Sequence, residues 1–346
     1  MKEKRTSRGV KIGRVIFTFF LLALISISLG LEFLPNLNTI SIPKDDEKLG
    51  IVKKEDVNMD EEQLKVYEEK SKGVQNILLI GVDEEGYDSG RSDVMMVVSL
   101  DSNHNAMKLT SVMRDTLSYI PTSQTYQKLN HSYSEGGPLE TMKAINRNFD
   151  LNMRDFVVFD FAAVSKAVDL IGGYPVYIDA DEAFDMGRSS GREYYDGEQI
   201  LDGEGATMYM RIRYNSGGDQ GRNQRQRDLI LYLLEYAKSM GRREMVGFAK
   251  EMMPTIRTSY SFSDIEKLMD IYDGMKDGLK TEQYSFPFNY EGVTLNDGLW
   301  YAVPGTMRSN VITLQENIFA SGSYVPSVIV DDISYSIENL SGVYSE

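Results

Sequence analysis

A three-layer α/β/α sandwich built on a central mixed sheet, preceded by one N-terminal transmembrane helix, is the architecture this sequence predicts. Three observations carry that expectation. Short apolar runs of buried-strand type, NILLIGV, VMMVVSL and FVVFDF, alternate with segments of helical period such as Leu139–Phe149 and Ala162–Ile171. Strands apolar on both faces need cover on both, and the interleaved helices supply it. An uncharged run, Val15–Leu31, stands directly behind a basic tail.

Taken in order, residues 1–14 carry six Lys and Arg against Glu3, and no acid interrupts the chain again until Glu32. Extended past Glu32 by Phe33 and Leu34, the apolar run reaches the roughly 17–25 residues that cross a bilayer. The basic flank predicts a cytoplasmic N-terminus and an external body, hence a single-pass protein of the cell membrane. A cleavable signal peptide is the competing reading. The run is long for one and lacks a clear small-x-small site, so the anchor is favoured. Residues 35–72 turn polar and charged, with Pro43 and KDDEK ahead of a short helix in EEQLKVYEEK. They read as an extracellular stalk, domain 35–72, between the anchor, 15–34, and the body, 73–346.

The body opens with three strands, NILLIGV, VMMVVSL and MKLTSVM, the first two joined by the loop DEEGYDSGRSD. Helices then alternate with FVVFDF and YPVYID, and further helices are expected over Glu244–Met253 and Ser263–Met275. The chain has no cysteine and two histidines, so neither a disulfide framework nor a thiolate or His-rich metal site is available. Any metal is oxygen-ligated, which points to magnesium, calcium or manganese. The formal charge of −15, more acidic still without the basic tail, argues against a nucleic-acid partner.

Against that acidity stands MYMRIRYNSGGDQGRNQRQR, Met208–Arg227, with five arginines and one acid, Asp219. Such a cluster needs carboxylate partners or an anionic ligand, and guanidinium suits phosphate oxygens. If Tyr209–Tyr214 is extended, Arg211 and Arg213 share one face and Met210 and Ile212 the buried one. Arg222, Arg225 and Gln226 fall on one face at the start of the helix implied by LILYLLEYAKSM. The glycine-rich loop between them supplies a tight connection beside a helix N-terminus, itself an anion site. A solvated basic helix start is the bland alternative.

Asp83 follows the first strand, and Arg91 and Asp93 precede the second, so the strand pair can bring the two carboxylates to one magnesium site. A loop acid and a cap would account for them equally well. Arg114 in MRDT is either a phosphate contact or a local partner of Asp115. His131 has the chemistry of a general base but, alone, reads as a structural histidine and receives no role. The eighteen methionines are either core filler or the lining of a lipid cavity. No P-loop, Gly-x-Ser-x-Gly elbow or HExxH is present.

The ordered set NILLIGVD, GRSDVMMVVSLD, SVMRDT, KLNHSYSEGG, FVVFDFAAVSKAVDLIGG, LDGEGATMYMRIRY and DQGRNQRQ resembles the LytR-CpsA-Psr family of membrane-anchored envelope proteins. The motif-bearing part is residues 74–240. The resemblance implies a phosphotransferase that attaches a polyprenyl-pyrophosphate-linked anionic glycopolymer, of teichoic acid or capsule type, to peptidoglycan through a phosphodiester. It implies magnesium, with manganese as substitute, held by Asp83 and Asp93. It places Arg91, Arg114, Arg211, Arg213, Arg222, Arg225 and Gln226 around the pyrophosphate, and gives the catalytic roles to Arg114, Arg222 and Asp83. Two alternatives use the same residues: a non-catalytic binder of lipid-linked glycan acting in regulation, and a pyrophosphatase that releases the glycan to water.

Overall fold

The computed structural model describes residues 38–82, 92–213, 217–239, 248, 251–260, 279–320, 322 and 324–344. The expected anchor, 15–34, lies outside them, as do all of the helix expected over Ser263–Met275 and part of the one expected over Glu244–Met253. Among the described residues no helix is long and apolar enough to cross a membrane.

The strands in chain order are β1 (Asn38–Thr39), β2 (Val74–Val82), β3 (Ser92–Asp101), β4 (Ala106–Val112), β5 (Leu117–Ile120), β6 (Thr125–Lys128) and β7 (Asp155–Asp160). They continue as β8 (Tyr174–Ile178), β9 (Gly197–Leu201), β10 (Ile256–Thr258), β11 (Lys280–Phe286), β12 (Tyr290–Thr294) and β13 (Trp300–Pro304). Seven form a central sheet, flanked by helices, in the order β1-β10-β7-β2-β3-β4-β11. The first three strands expected from sequence, β2, β3 and β4, run antiparallel side by side, with an irregularity at Gly81/Val82. YPVYID does form a strand, β8, but it pairs with β9 in a separate two-stranded sheet. Its Pro175 and Tyr177 are exposed, so a wet face replaces the buried one expected of a central strand.

The helices are α1 (Glu61–Ser71), α2 (His131–Phe149), α3 (Phe161–Leu170), α4 (Ala180–Ser190), α5 (Gly203–Tyr209), α6 (Gly218–Ser239), α7 (Met307–Phe319) and α8 (Val328–Ser341). The chain divides into two compact units, which refines the single body expected from sequence. The larger comprises Thr39–Val158, Thr258–Tyr260 and Thr281–Glu346; the other is centred on Phe159–Arg257.

In the larger unit, Leu78 and Ile80 of β2, Met95 and Val97 of β3 and Phe156 of β7 share one core with α2, α7 and α8, through Met142, Phe149, Leu314, Ile318 and Ile333. The hairpin between β3 and β4 turns on a buried ion pair. Asp101 Oδ1 accepts from the Asn103 and His104 amides, while Oδ2 accepts from Lys108 Nζ at 2.8 Å. Lys108 also donates to the Ile318 carbonyl at 2.7 Å.

From Thr39 on, the segment read as a stalk belongs to this unit. Leu49 is 1% exposed in the core, its carbonyl accepting from Asn146 Nδ2 at 2.9 Å, and Tyr67 of α1 bonds Gln315 and packs edge-on against Phe319. Ile40, Ile42, Ile51 and Met59 pack against the same core. Scattered singly among charges, these apolar residues made no periodic signal, which is why composition read as a tether.

The second unit has its own core, built from Val164, Ala167 and Val168 of α3, Ala183 and Met186 of α4, Ala206 of α5 and Leu229 and Leu233 of α6. Met95, Met142, Met153 and Met307 in the first core, with Met186, Met210 and Met252 in the second, are packed as filler.

Candidate functional site

In the larger unit the chain leaves β4 into a tight turn, where the Thr116 amide and hydroxyl both donate to the Met113 carbonyl. Arg114 sits in that turn, its Nη1 paired with Asp93 Oδ1 and its Nε 3.4 Å from Asp115 Oδ2. Asp115 in turn accepts from Lys128 Nζ at 2.8 Å, so two acids and two bases alternate. The start of α2 is bound to the same turn: the Leu129 amide donates to Thr116 and the Asn130 amide to Arg114. The local pairing read for Arg114 holds in part. It contacts Asp115, but its closer partner is an acid 21 positions away that a β3–β4 pairing delivers.

Asp83 and Arg91 lie outside the described residues. Asp93 is accordingly the described half of the expected metal pair, and among the described residues no group of three His, Asp or Glu gathers around one point. The donor chemistry nonetheless fits magnesium, which keeps several waters and takes one or two carboxylates together with substrate phosphate. Arg114 would share Asp93 with the ion.

In the second unit the described part of the arginine stretch is not extended. Asp202 caps α5 by accepting from the Gly205 amide, and the helix unwinds through a turn in which Arg211 and Ile212 donate to the Met208 carbonyl. The burial alternation survives: Met210 and Ile212 are buried, Arg211 is exposed and Arg213 half-buried. Hydrophobic burial dictated the sides while local hydrogen bonding chose the helical turn. Gly217 and Gly218, both at positive φ, then let the chain reverse, and the Gly218 amide bonds the Arg213 carbonyl.

The helix α6 therefore begins at Gly218, ahead of the apolar run that announced it, and Arg222, Arg225 and Gln226 are all buried within its first turns. Arg222 is 2% exposed. Arg225 donates Nε to the Tyr209 carbonyl at 3.0 Å, Nη2 to the Ile212 carbonyl at 2.6 Å and Nη1 to Glu182 at 3.1 Å. Gln226 reaches the Met210 carbonyl at 3.4 Å. These two side chains hold the 209–212 turn on α6. Arg211 lies over the Phe161 ring at 4.6 Å.

Two contributors escaped sequence reading. Glu182 closes the capping box of α4 with Asp179 and also pairs with Arg225. Its place three residues after Asp179 announces the cap, but nothing in sequence announces the ion pair. Lys128 lay inside a quoted motif, and the pairing of β5 with β6, Leu117 opposite Lys128, brings it to Asp115.

The model of the LytR_cpsA_psr family matches residues 43–316. The polyisoprenyl-teichoic acid–peptidoglycan teichoic acid transferase TagU of Oceanobacillus iheyensis is 30% identical over 242 residues, 68% of this chain and 72% of that protein. TagV of Bacillus subtilis, a transferase of the same description, is 30% identical over 207 residues, 58% of this chain and 53% of that one. Among solved structures, TagT bound to LI-WTA matches with a TM-score of 0.62 at 19% identity, covering 82% of this chain and 98% of that chain, a likeness of fold. The structure of B. subtilis TagV matches with a TM-score of 0.58 at 26% identity, covering 74% and 99%. With the family model spanning most of the chain, this chain belongs to the LytR-CpsA-Psr family.

Proposed function

We propose that this protein is a glycopolymer–peptidoglycan phosphotransferase, acting on a polyprenyl-pyrophosphate-linked anionic glycopolymer of teichoic acid type. The observation that carries the reading is the burial of Arg222 on a helix to which Arg225 and Gln226 bind the Arg211–Arg213 turn. A chain of net charge −15 thereby gathers five arginines on one helix start and one adjoining turn. The names of its transferase relatives supply the substrate class.

In this mechanism Arg222, Arg211 and Arg213 bind the diphosphate, and Arg225 acts through the turn it holds. An acceptor hydroxyl oxygen of peptidoglycan forms a bond to the phosphorus beside the glycan. The bond from that phosphorus to the bridging oxygen breaks, and polyprenyl phosphate departs with the electron pair. Charge stabilisation by guanidinium groups dominates such a step. Arg114 and Arg91 contribute to it, with Asp115 and Lys128 fixing Arg114. Asp93 and Asp83 would hold magnesium, which when bound adds positive charge at the phosphoryl oxygens. The segment 15–34 anchors the protein in the cell membrane with residues 1–14 cytoplasmic and the body outside.

The test is incubation of the full chain with magnesium, a short polyprenyl-pyrophosphoryl saccharide and uncrosslinked peptidoglycan oligomers, with products identified by mass spectrometry. A saccharide joined to peptidoglycan through one phosphate is expected. Arg222→Ala should lower its formation by at least about 10²-fold with the far-UV spectrum unchanged. Saccharide phosphate without the adduct, or equal turnover in the variant, would overturn the assignment.

A further inference from the structure

Two positions beyond Arg225, on the opposite side of α6 at roughly 200° round the helix, Arg227 is buried in a different condition. It is 8% exposed. Nη2 donates to Gln224 Oε1 at 2.5 Å, but Nε and Nη1 are buried with no hydrogen-bond partner. The adjacent Asp228 exerts an electrostatic pull, yet its carboxylate is engaged by Gln224 Nε2 at 2.8 Å and no described carboxylate pairs with Arg227. Its neighbours one turn on, Ile230 and Leu231, are buried and apolar, and they stand outside the core that takes Leu229 and Leu233. Burial accordingly depresses the guanidinium's pKa against the pull of Asp228.

A buried guanidinium with two unsatisfied donors is costly to the fold, because each lost hydration contact goes unreplaced. Replacing such a group by a hydrophobic residue of similar volume is commonly neutral or stabilising, so folding alone does not account for an arginine here. What the two donors lack is an acceptor of matching fork geometry and opposite charge, and a phosphate oxygen pair supplies both. We infer that Arg227 is a phosphate-binding residue on the second face of α6, which takes the phosphate of a polyprenyl phosphate. The inference rests on the transferase reading and extends it.

The test measures binding of farnesyl phosphate, with farnesol and inorganic phosphate as separate arms, to the full chain and to Arg227→Met and Arg227→Lys, alongside their thermal midpoints without ligand. Farnesyl phosphate affinity is expected to fall at least about tenfold in Arg227→Met and less in Arg227→Lys, with farnesol binding unchanged and the unliganded midpoint of Arg227→Met equal to or above that of the parent. Inorganic phosphate bound as tightly as farnesyl phosphate, and lost equally, would show a free-anion site and overturn the lipid assignment. Unchanged farnesyl phosphate affinity in both variants, or equal losses for farnesyl phosphate and farnesol with a lowered midpoint, would overturn the inference as a whole. Transfer lost in Arg222→Ala would stand through any of these results, so the two readings fail separately.

Discussion

Arg225 and Arg227 share a helix, a sequence run and nearly the same burial, yet one is fully engaged by protein groups and the other is not. Arg225 is built into the fold: two carbonyls and Glu182 take its donors, and the 209–212 turn rests on it. Arg227 keeps two nitrogens without acceptors on a face lined by Ile230 and Leu231. Burial of a cation is thus no single signal. A satisfied one marks architecture, and an unsatisfied one marks a place where a ligand completes the structure. Lys108, held by Asp101 and the Ile318 carbonyl in the other unit, sits firmly on the satisfied side.

Mutations that strip partners from the satisfied cations test this contrast most directly, since each should cost stability where Arg227→Met should not. The largest loss is expected for Asp101→Asn, about 3–5 kcal/mol by chemical denaturation at pH 7, because Lys108 is left buried without its counter-charge. Burial raises the Asp101 pKa, but the bonds from Lys108 and His104 outweigh it and hold the carboxyl below its ordinary value. Its contribution is therefore present above the unfolded pKa of about 3.9 and is lost as pH falls through the lower folded value. The gap between parent and variant should close below about pH 4. A gap that persists there would mean the turn hydrogen bonds, not the charge, carry the stability.

Next in size, Arg225→Met should lose about 3 kcal/mol, since Glu182 and two carbonyls are stranded together. An unchanged denaturation midpoint would erase the distinction from Arg227. Glu182→Gln should cost less, about 1–2 kcal/mol, because the amide oxygen still accepts from the Asp179 amide or from Arg225 and only the charge is removed. Double-mutant coupling near zero between Glu182→Gln and Arg225→Met would show that the pair contributes nothing.

Much of this was open to reading in one dimension because local rules govern it. The runs β2, β3 and β4 are apolar enough to be recognised alone, and Asp202 and Asp179 cap the helices that follow them. The same rules leave MYMRIRY open, where an alternating pattern marks the buried side of a helical turn as faithfully as that of a strand. They misread residues 39–72, since Leu49 and Tyr67 find their partners at Asn146 and Gln315, far along the chain.

The arginine cluster, the acid positions and the family were therefore present in composition and order, for residue type and short-range spacing are properties of the chain itself. Which arginine became a girder and which kept open donors was not. That depended on Glu182 lying 43 positions before Arg225, and on no described acid reaching Arg227. Electrostatic and hydrogen-bond satisfaction is decided by distances of a few ångströms between distant segments, and only the packed chain sets those distances.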